Sequence, residues 1–245
     1  SVASFFLIMA VTDPDERPHR RTSMFIVPAD APGIEVIRDY GFYGHIPTHA
    51  HMQWTNVRVP ADSLLGKRGD GFIVAQQRLG GGRMHHAMRT IALAQSALDK
   101  MCERAVSRST KGELLGNKQL VQAQIAESWA QLRQFRLLVL ETAWLADNGH
   151  SWKDLRKNVS AVKFLMPQVL HDIASRALQI HGSLGLSDQM PFTSMIMTSY
   201  QMALADGPTE VHKVTTAREL LRDAKPATGP FPDHMLSERQ AAEQA

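Results

Sequence analysis

Four short stretches of this chain hold the residues best suited to chemistry. Asp206-Gly207-Pro208-Thr209-Glu210 sets a carboxylate in front of a Gly-Pro turn. An aspartate there can cap the following helix or, kept from water, act as a base. Gly80-Gly81-Gly82-Arg83 places a cation after three residues without side chains, with His85 and His86 close behind. Each glycine costs a helix about 1 kcal/mol relative to alanine, so a hinge just before a long helix opening at Arg83 is the simpler reading. The same glycines would let a ligand approach the backbone, with Arg83 as a fixed charge beside it. Arg108-Ser109-Thr110-Lys111-Gly112 has the basic residues and the terminal glycine of a helix C-terminus. The run Gln179 to Leu186 reads as a helix end followed by a glycine-rich turn. No strand precedes it, so it is not a dinucleotide fingerprint.

A fifth group, His45, His49 and His51, could offer two imidazoles on one strand face to a metal. No carboxylate or cysteine lies near enough in sequence to complete a ligand set. A partly exposed polar strand is the better account, and no metal is expected. The single cysteine, Cys102, excludes a disulfide framework and any cysteine-rich zinc module.

These residues need elements to position them. Phe5 to Val11, Ser23 to Val27, Ile34 to Ile37 and Ala50 to Val59 read as short strands bounded by turn residues, an antiparallel β-layer. After Gly71 the apolar period changes. Ile91, Ala94, Leu98, Met101 and Ala105 form one helical stripe. Val121 to Ala143 forms a second, ended by Asn148-Gly149. Val159 to Ile180 forms a third, ended by Gly182, with Pro167 inside it predicting a kink or local break. Pro191 to Leu204 and Thr209 to Leu221 are shorter helical candidates. The expected plan is α+β: late strands of a β-domain over residues 1–70, an up-down α-helical bundle over 71–222, and a surface or disordered tail over 223–245.

Of the 245 residues, 44% are hydrophobic and 21% charged, enough for a core and against disorder. The net charge of +3 is small and scattered. Its one local cluster, Arg17, His19, Arg20 and Arg21, reads as a solvated loop, so no nucleic-acid partner is expected. No apolar run is long enough for a transmembrane segment, and no signal peptide is visible. The chain opens without Met and reaches an apolar strand almost at once, which suggests a start inside a domain.

Taken in order, these segments resemble the C-terminal half of an acyl-CoA dehydrogenase. The resemblance covers roughly residues 1 to 222. It rests on the strand ending Asn56-Val57-Arg58-Val59-Pro60, on Leu65-Gly66 and Gly69 to Phe72, on the helix at Arg83, and on the Arg108-to-Gly112 turn with Gln119 beyond it. Gln179 to Gly185 and Ala205-Asp206-Gly207-Pro208 complete the series. The Gly-Arg-x-His-His and Ala-Asp-Gly-Pro-x-Glu-Val-His stretches resemble one branch of that family, with Asp-Gly-Pro in place of the usual Glu-Gly-Thr. No segment resembles the family's N-terminal helical domain or first β-strands.

The resemblance implies an oxidoreductase of fatty-acid β-oxidation with FAD as cofactor, converting an acyl-CoA thioester to a trans-2-enoyl-CoA. Asp206 matches the family's base, and Arg83 an arginine beside base and substrate that would hold the carboxylate ionised. Gly207 falls on the substrate side. Arg108, Gln119, Gln179 and Gly182 match positions that touch the FAD pyrophosphate and adenosine, partly across a subunit interface. Lys111 stands where an aromatic is usual, and Ser183 replaces one glycine of a pair. The implied assembly is a homo-oligomer, dimer or tetramer, built through the bundle. Electron-transferring flavoprotein is the implied acceptor. The implied compartment is the cytoplasm in a bacterium, otherwise the mitochondrial matrix or peroxisome. A non-catalytic assembly subunit paired with a complete partner, and an acyl-CoA oxidase, share the same motifs.

Overall fold

A computed structural model describes residues 3–41, 49–226 and 236–244; His45 lies outside them. Strands β1 (Phe5–Val11) and β2 (Thr22–Pro28) pair antiparallel, Phe5 opposite Pro28 and Val11 opposite Thr22. β3 (Ile34–Tyr40) and β4 (His49–Trp54) form a separate antiparallel pair, and β5 (Leu64–Leu65) joins the far edge of β2. β1 alternates strictly. Phe6, Ile8 and Ala10 are partly covered, while Phe5, Leu7, Met9 and Val11 are exposed. The strand expected to reach Val59 stops at Trp54. Thr55 N–H donates to the Gly33 carbonyl at 2.9 Å and Asn56 turns left-handed (φ 51°), which takes Val57 and Val59 out of the ladder. His49 and His51 are both exposed on β4.

Helix α1 (Gly71–Ser107) corrects one expectation outright. It runs through Gly80, Gly81 and Gly82 without a break, so Arg83 lies inside a helix and not at its start. The propensity cost of three glycines is local. One face of α1, with Gly80 on it, buries Met84, Ala87, Ala94, Leu98 and Met101, and tertiary packing outweighs the local deficit. A second correction follows at its end. Arg108 is extended, and β6 (Ser109–Thr110) pairs with β7 (Glu113–Leu114). Lys111 (φ 51°) and Gly112 (φ 82°) make the two-residue turn. Gly112 therefore serves a hairpin and does not cap α1.

Helices α2 (Gln119–Asp147) and α3 (Arg156–His181) follow, then α4 (Ser183–Leu186), α5 (Phe192–Leu204) and α6 (Thr209–Arg222). α3 is the centre of the bundle and packs on α1, α2, α5 and α6. It continues through Pro167 without the predicted break, with Val162, Met166, Leu170, Ile173 and Ala174 wholly or almost wholly buried. The glycine-rich turn after α3 contains α4, with Gly185 packed so closely on the Leu178 carbonyl that a Cβ would lie 2.4 Å from it. The tail carries a further helix, α7 (Leu236–Glu243), exposed from residue 239 onward. Antiparallel strands thus precede a helical bundle, the α+β plan expected. Among the described residues, no helix is long and apolar enough to cross a membrane.

Candidate active site

The link between α5 and α6 is four residues long, Ala205 to Pro208, and Asp206 sits within it at φ 56°. That left-handed conformation is uncommon for a residue with a Cβ and has to be held by its surroundings. Three helices hold it. From α1, Arg83 Nε donates to the Asp206 carbonyl at 3.1 Å, while its Nη1 reaches Gln76 Oε1 at 3.4 Å. From α6, His212 Nε2 approaches the same carbonyl at 3.3 Å, with Nδ1 3.4 Å from the Ser160 hydroxyl. A carbonyl can only accept, so Nε2 carries the proton and Ser160 donates to Nδ1. From α3, Lys163 Nζ donates to the carbonyls of Met202 at 2.6 Å and Gly207 at 3.2 Å. Gly207 (φ 106°) completes the turn. A Cβ there would meet His212 Nε2 at 2.8 Å, so the position requires glycine twice over.

The turn's hydrogen bonds leave out the Asp206 carboxylate. Its side chain is 14% exposed, and Oδ2 is buried without a hydrogen-bond partner among the described residues. His86 Nε2 lies 3.3 Å from Oδ2 without hydrogen-bond alignment, and His86 Nδ1 is likewise buried and unpartnered. Arg78 Nη1 stands 3.9 Å from Oδ1. A cap would use this carboxylate on the first N–H groups of α6, but α6 begins after Pro208 without any side-chain cap, which removes the capping reading of Asp206. Gly82 explains the open approach: its Cβ would stand 3.6 Å from Oδ2, inside the space the carboxylate faces.

Burial dominates the titration of the groups around it. It pushes the Arg83 guanidinium down, with Asp206 opposing. It also pushes the His86 and His212 imidazoles below their ordinary range, so both are neutral at pH 7. Lys163, wholly buried, is brought down to about 8 by desolvation, against the pull of Asp206. A cavity of about 740 Å³ opens onto the turn. It is lined by Phe72, Leu79, Gly80, Arg83, Trp152 and Asp206 among others, with His19 stacked on Phe72 at 4.6 Å between ring centroids.

A family profile for the C-terminal domain of acyl-CoA dehydrogenases matches residues 69–221, more than half of the chain. The chain belongs to the acyl-CoA dehydrogenase family. Among its relatives is a probable acyl-CoA dehydrogenase of Mycobacterium tuberculosis, 40% identical over 220 residues that cover 89% of this chain and 54% of that one. The (R)-benzylsuccinyl-CoA dehydrogenase of Thauera aromatica is 35% identical over 221 residues, with 90% and 54% covered. The structure of butyryl-CoA dehydrogenase from Megasphaera elsdenii superposes with a TM-score of 0.80 at 26% identity, over 90% of this chain and 57% of that one. The chain spans about half the length of these acyl-CoA dehydrogenase relatives.

The fold divides the expected site residues of this family member into two groups. Asp206, Gly207 and Arg83 come together at the α5–α6 turn. Arg108, Gln119, Gln179 and Gly182 gather at the opposite end of α1, all four exposed. Gly116 packs on the Ala105 carbonyl there, and buried His181 at the end of α3 senses Arg104 and Lys100. The span from Arg83 to Arg108 is about 37 Å of helix. The side chains of Arg108, Gln119 and Gln179 have no hydrogen-bond partner among the described residues. One guanidinium and two carboxamides suit a pyrophosphate and its adenosine, so the donor set fits the FAD that the family implies. Sequence reasoning missed Lys163 and Trp152. The signal for Lys163 was a charge on the apolar stripe of the third helix, four residues after Val159 and three before Met166.

Proposed function

We propose that the full-length protein dehydrogenates an acyl-CoA thioester between Cα and Cβ, with Asp206 as the base. The observation that carries this reading is the Asp206 carboxylate: nearly buried, free of hydrogen bonds at Oδ2, and facing a cavity large enough for an acyl chain. An α-proton beside a thioester is a very weak acid. A carboxylate removes it only if desolvated and held in line. The clamped turn supplies the second condition and the surrounding α1 wall the first. Arg83, which lines the cavity, adds positive charge near the centre where negative charge grows as the proton leaves. When bound, FAD supplies the hydride acceptor for the β-carbon.

Arg108, Gln119, Gln179 and Gly182 are proposed to hold the pyrophosphate and adenosine. Their distance from Asp206 supports a site shared between two copies of the chain, each giving its turn to one flavin and its α1 end to another. The exposed α2 residues Leu137, Leu140 and Trp144, spaced for one helix face, support the same self-association.

Asp206→Asn in the full-length protein tests the base assignment. Asn keeps the size and the polar oxygen but cannot take a proton. FAD content should stay near stoichiometric while both dehydrogenation and exchange of the substrate α-proton with solvent deuterium fall by about 10²–10⁴-fold. Exchange at the wild-type rate in Asp206→Asn would reject the assignment.

A further inference from the structure

Lys163 is the one charged side chain of this bundle with no exposure at all, and neither the proton transfer nor the flavin contacts use it directly. A lysine at the centre of a helical core is costly to bury, because its charge loses hydration. Here its ammonium is spent on two main-chain carbonyls on either side of Asp206: Met202 in the last turn of α5 and Gly207 in the turn itself. The Met202 carbonyl is one of the last four of α5 and has no partner within that helix, so a cation suits it on both hydrogen-bonding and dipole grounds. The neighbouring Ala203 carbonyl accepts from the Thr209 hydroxyl at 3.3 Å. The end of α5 and the start of α6 are thereby tied together around Asp206.

We infer that Lys163 is the positioning residue for the base: its ammonium, by bridging Met202 and Gly207, holds Asp206 in the left-handed conformation that aims the carboxylate into the cavity. The inference rests on Asp206 being the base. Arg83 and His212 also hold the turn, but both do so at the single carbonyl of Asp206. Lys163 spans the turn from the helix before it to the residue after it with a charged group, where the Thr209 hydroxyl spans it with a single longer neutral bond to Ala203. The bridge is strongest with a protonated amine: a neutral amine keeps two N–H donors, but the bonds of the ammonium to the two carbonyls are charge-assisted and favoured by the dipole at the end of α5.

The charged and titratable groups facing Lys163 are known from each neighbouring element. α1 contributes Arg83 and His86, the turn Asp206, and α6 His212; α5 has no charged residue. Arg83 and burial favour loss of the proton and Asp206 opposes it, which leaves the ammonium titrating at about 8. Positioning should therefore weaken as pH rises through about 8. Stability should move the other way. A lysine whose folded value lies below its ordinary 10.5 carries a burial penalty that is relieved between about 8 and 10.5, so folding gains over the window in which turnover is lost.

The test uses the full-length, FAD-loaded protein and an acyl-CoA substrate. Lys163→Met keeps the volume and removes the charge. The expected result is FAD content unchanged, KM within about threefold, kcat lower by about 10²-fold, the scale of a 1 Å misplacement, and no remaining alkaline limb near pH 8. In the wild type, kcat should fall through pH 8 while thermal stability rises. The wild-type pair of profiles stands on its own if Lys163→Met does not fold. Wild-type kcat in Lys163→Met, or a wild-type kcat that stays flat to pH 9.5, overturns the inference. An inactive Asp206→Asn beside a fully active Lys163→Met keeps the base and removes the positioning role. A fully active Asp206→Asn removes the base and the inference with it.

Discussion

The Arg83 guanidinium donates to the main-chain carbonyl of Asp206 and leaves the carboxylate alone. The arginine expected to hold this carboxylate ionised thus acts on the shape of the turn, through Nε, and on Gln76, through Nη1. Its charge still reaches the site, but its hydrogen bonds do not occupy the base.

Arg83→Lys keeps that charge and loses the two-pronged geometry. Turnover should fall about 10-fold or more with FAD content unchanged, measured by steady-state kinetics on the full-length protein. Arg83→Lys at wild-type kcat would mean that charge alone suffices.

Asp206→Glu keeps the base and lengthens its reach by one methylene. The clamped turn is fitted to the shorter acid, so Glu should slow dehydrogenation, though less than Asn does. Stopped-flow flavin reduction separates the three proteins.

His86, His181 and His212 are all pushed below 6.5 by burial. Such groups favour the neutral form when folded. Their contribution to stability is present above pH 6.5 and is lost as pH falls from there through the lowered values, because the unfolded chain then binds more protons. The melting temperature should drop between pH 7.5 and 5.5. In His212→Gln, which keeps a donor near the Asp206 carbonyl, part of that drop should disappear.

The three glycines of α1 should respond differently to alanine. Gly81 faces open space, so Gly81→Ala should stabilise the fold by about 1 kcal/mol without a kinetic effect. Gly80→Ala would place its Cβ 3.5 Å from the Trp152 ring, an ordinary contact. Gly82→Ala fills space beside Oδ2 and should lower kcat/KM. Denaturant melts and kinetics on the three variants check the pattern.

Leu140→Glu or Trp144→Glu puts a charge on the exposed apolar face of α2. If that face joins copies of the chain, the full-length variant should sediment as a smaller species at micromolar concentration, and its FAD content should fall.

The sequence made the bundle legible because its apolar stripes keep a helical period over long spans, as Val159 to Ile180 shows. It did not make α1 legible between residues 71 and 90. There the glycine penalty is local and visible, whereas the compensating burial of Met84 and Ala87 comes from a distant helix. Asp206 stood out by its neighbours in sequence, Gly207 and Pro208. Lys163 did not, since its partners are main-chain carbonyls about forty residues away, and a carbonyl has no sequence signature. Nor did the omission of the carboxylate from the turn's hydrogen bonds, which depends on Arg83 turning to the backbone.

The strict alternation of β1 has a practical bearing at the bench. Among the described residues β1 is the edge of its sheet, and Phe5, Leu7, Met9 and Val11 line one exposed face of it, Leu7 opposite Ile26 of β2. A greasy face and an open hydrogen-bonding edge on the same strand make an adhesive seam. Produced as these 245 residues by itself, the chain should precipitate or form strand-paired aggregates on concentration. A lysine in place of Leu7 should keep it in solution without touching the bundle that carries Asp206.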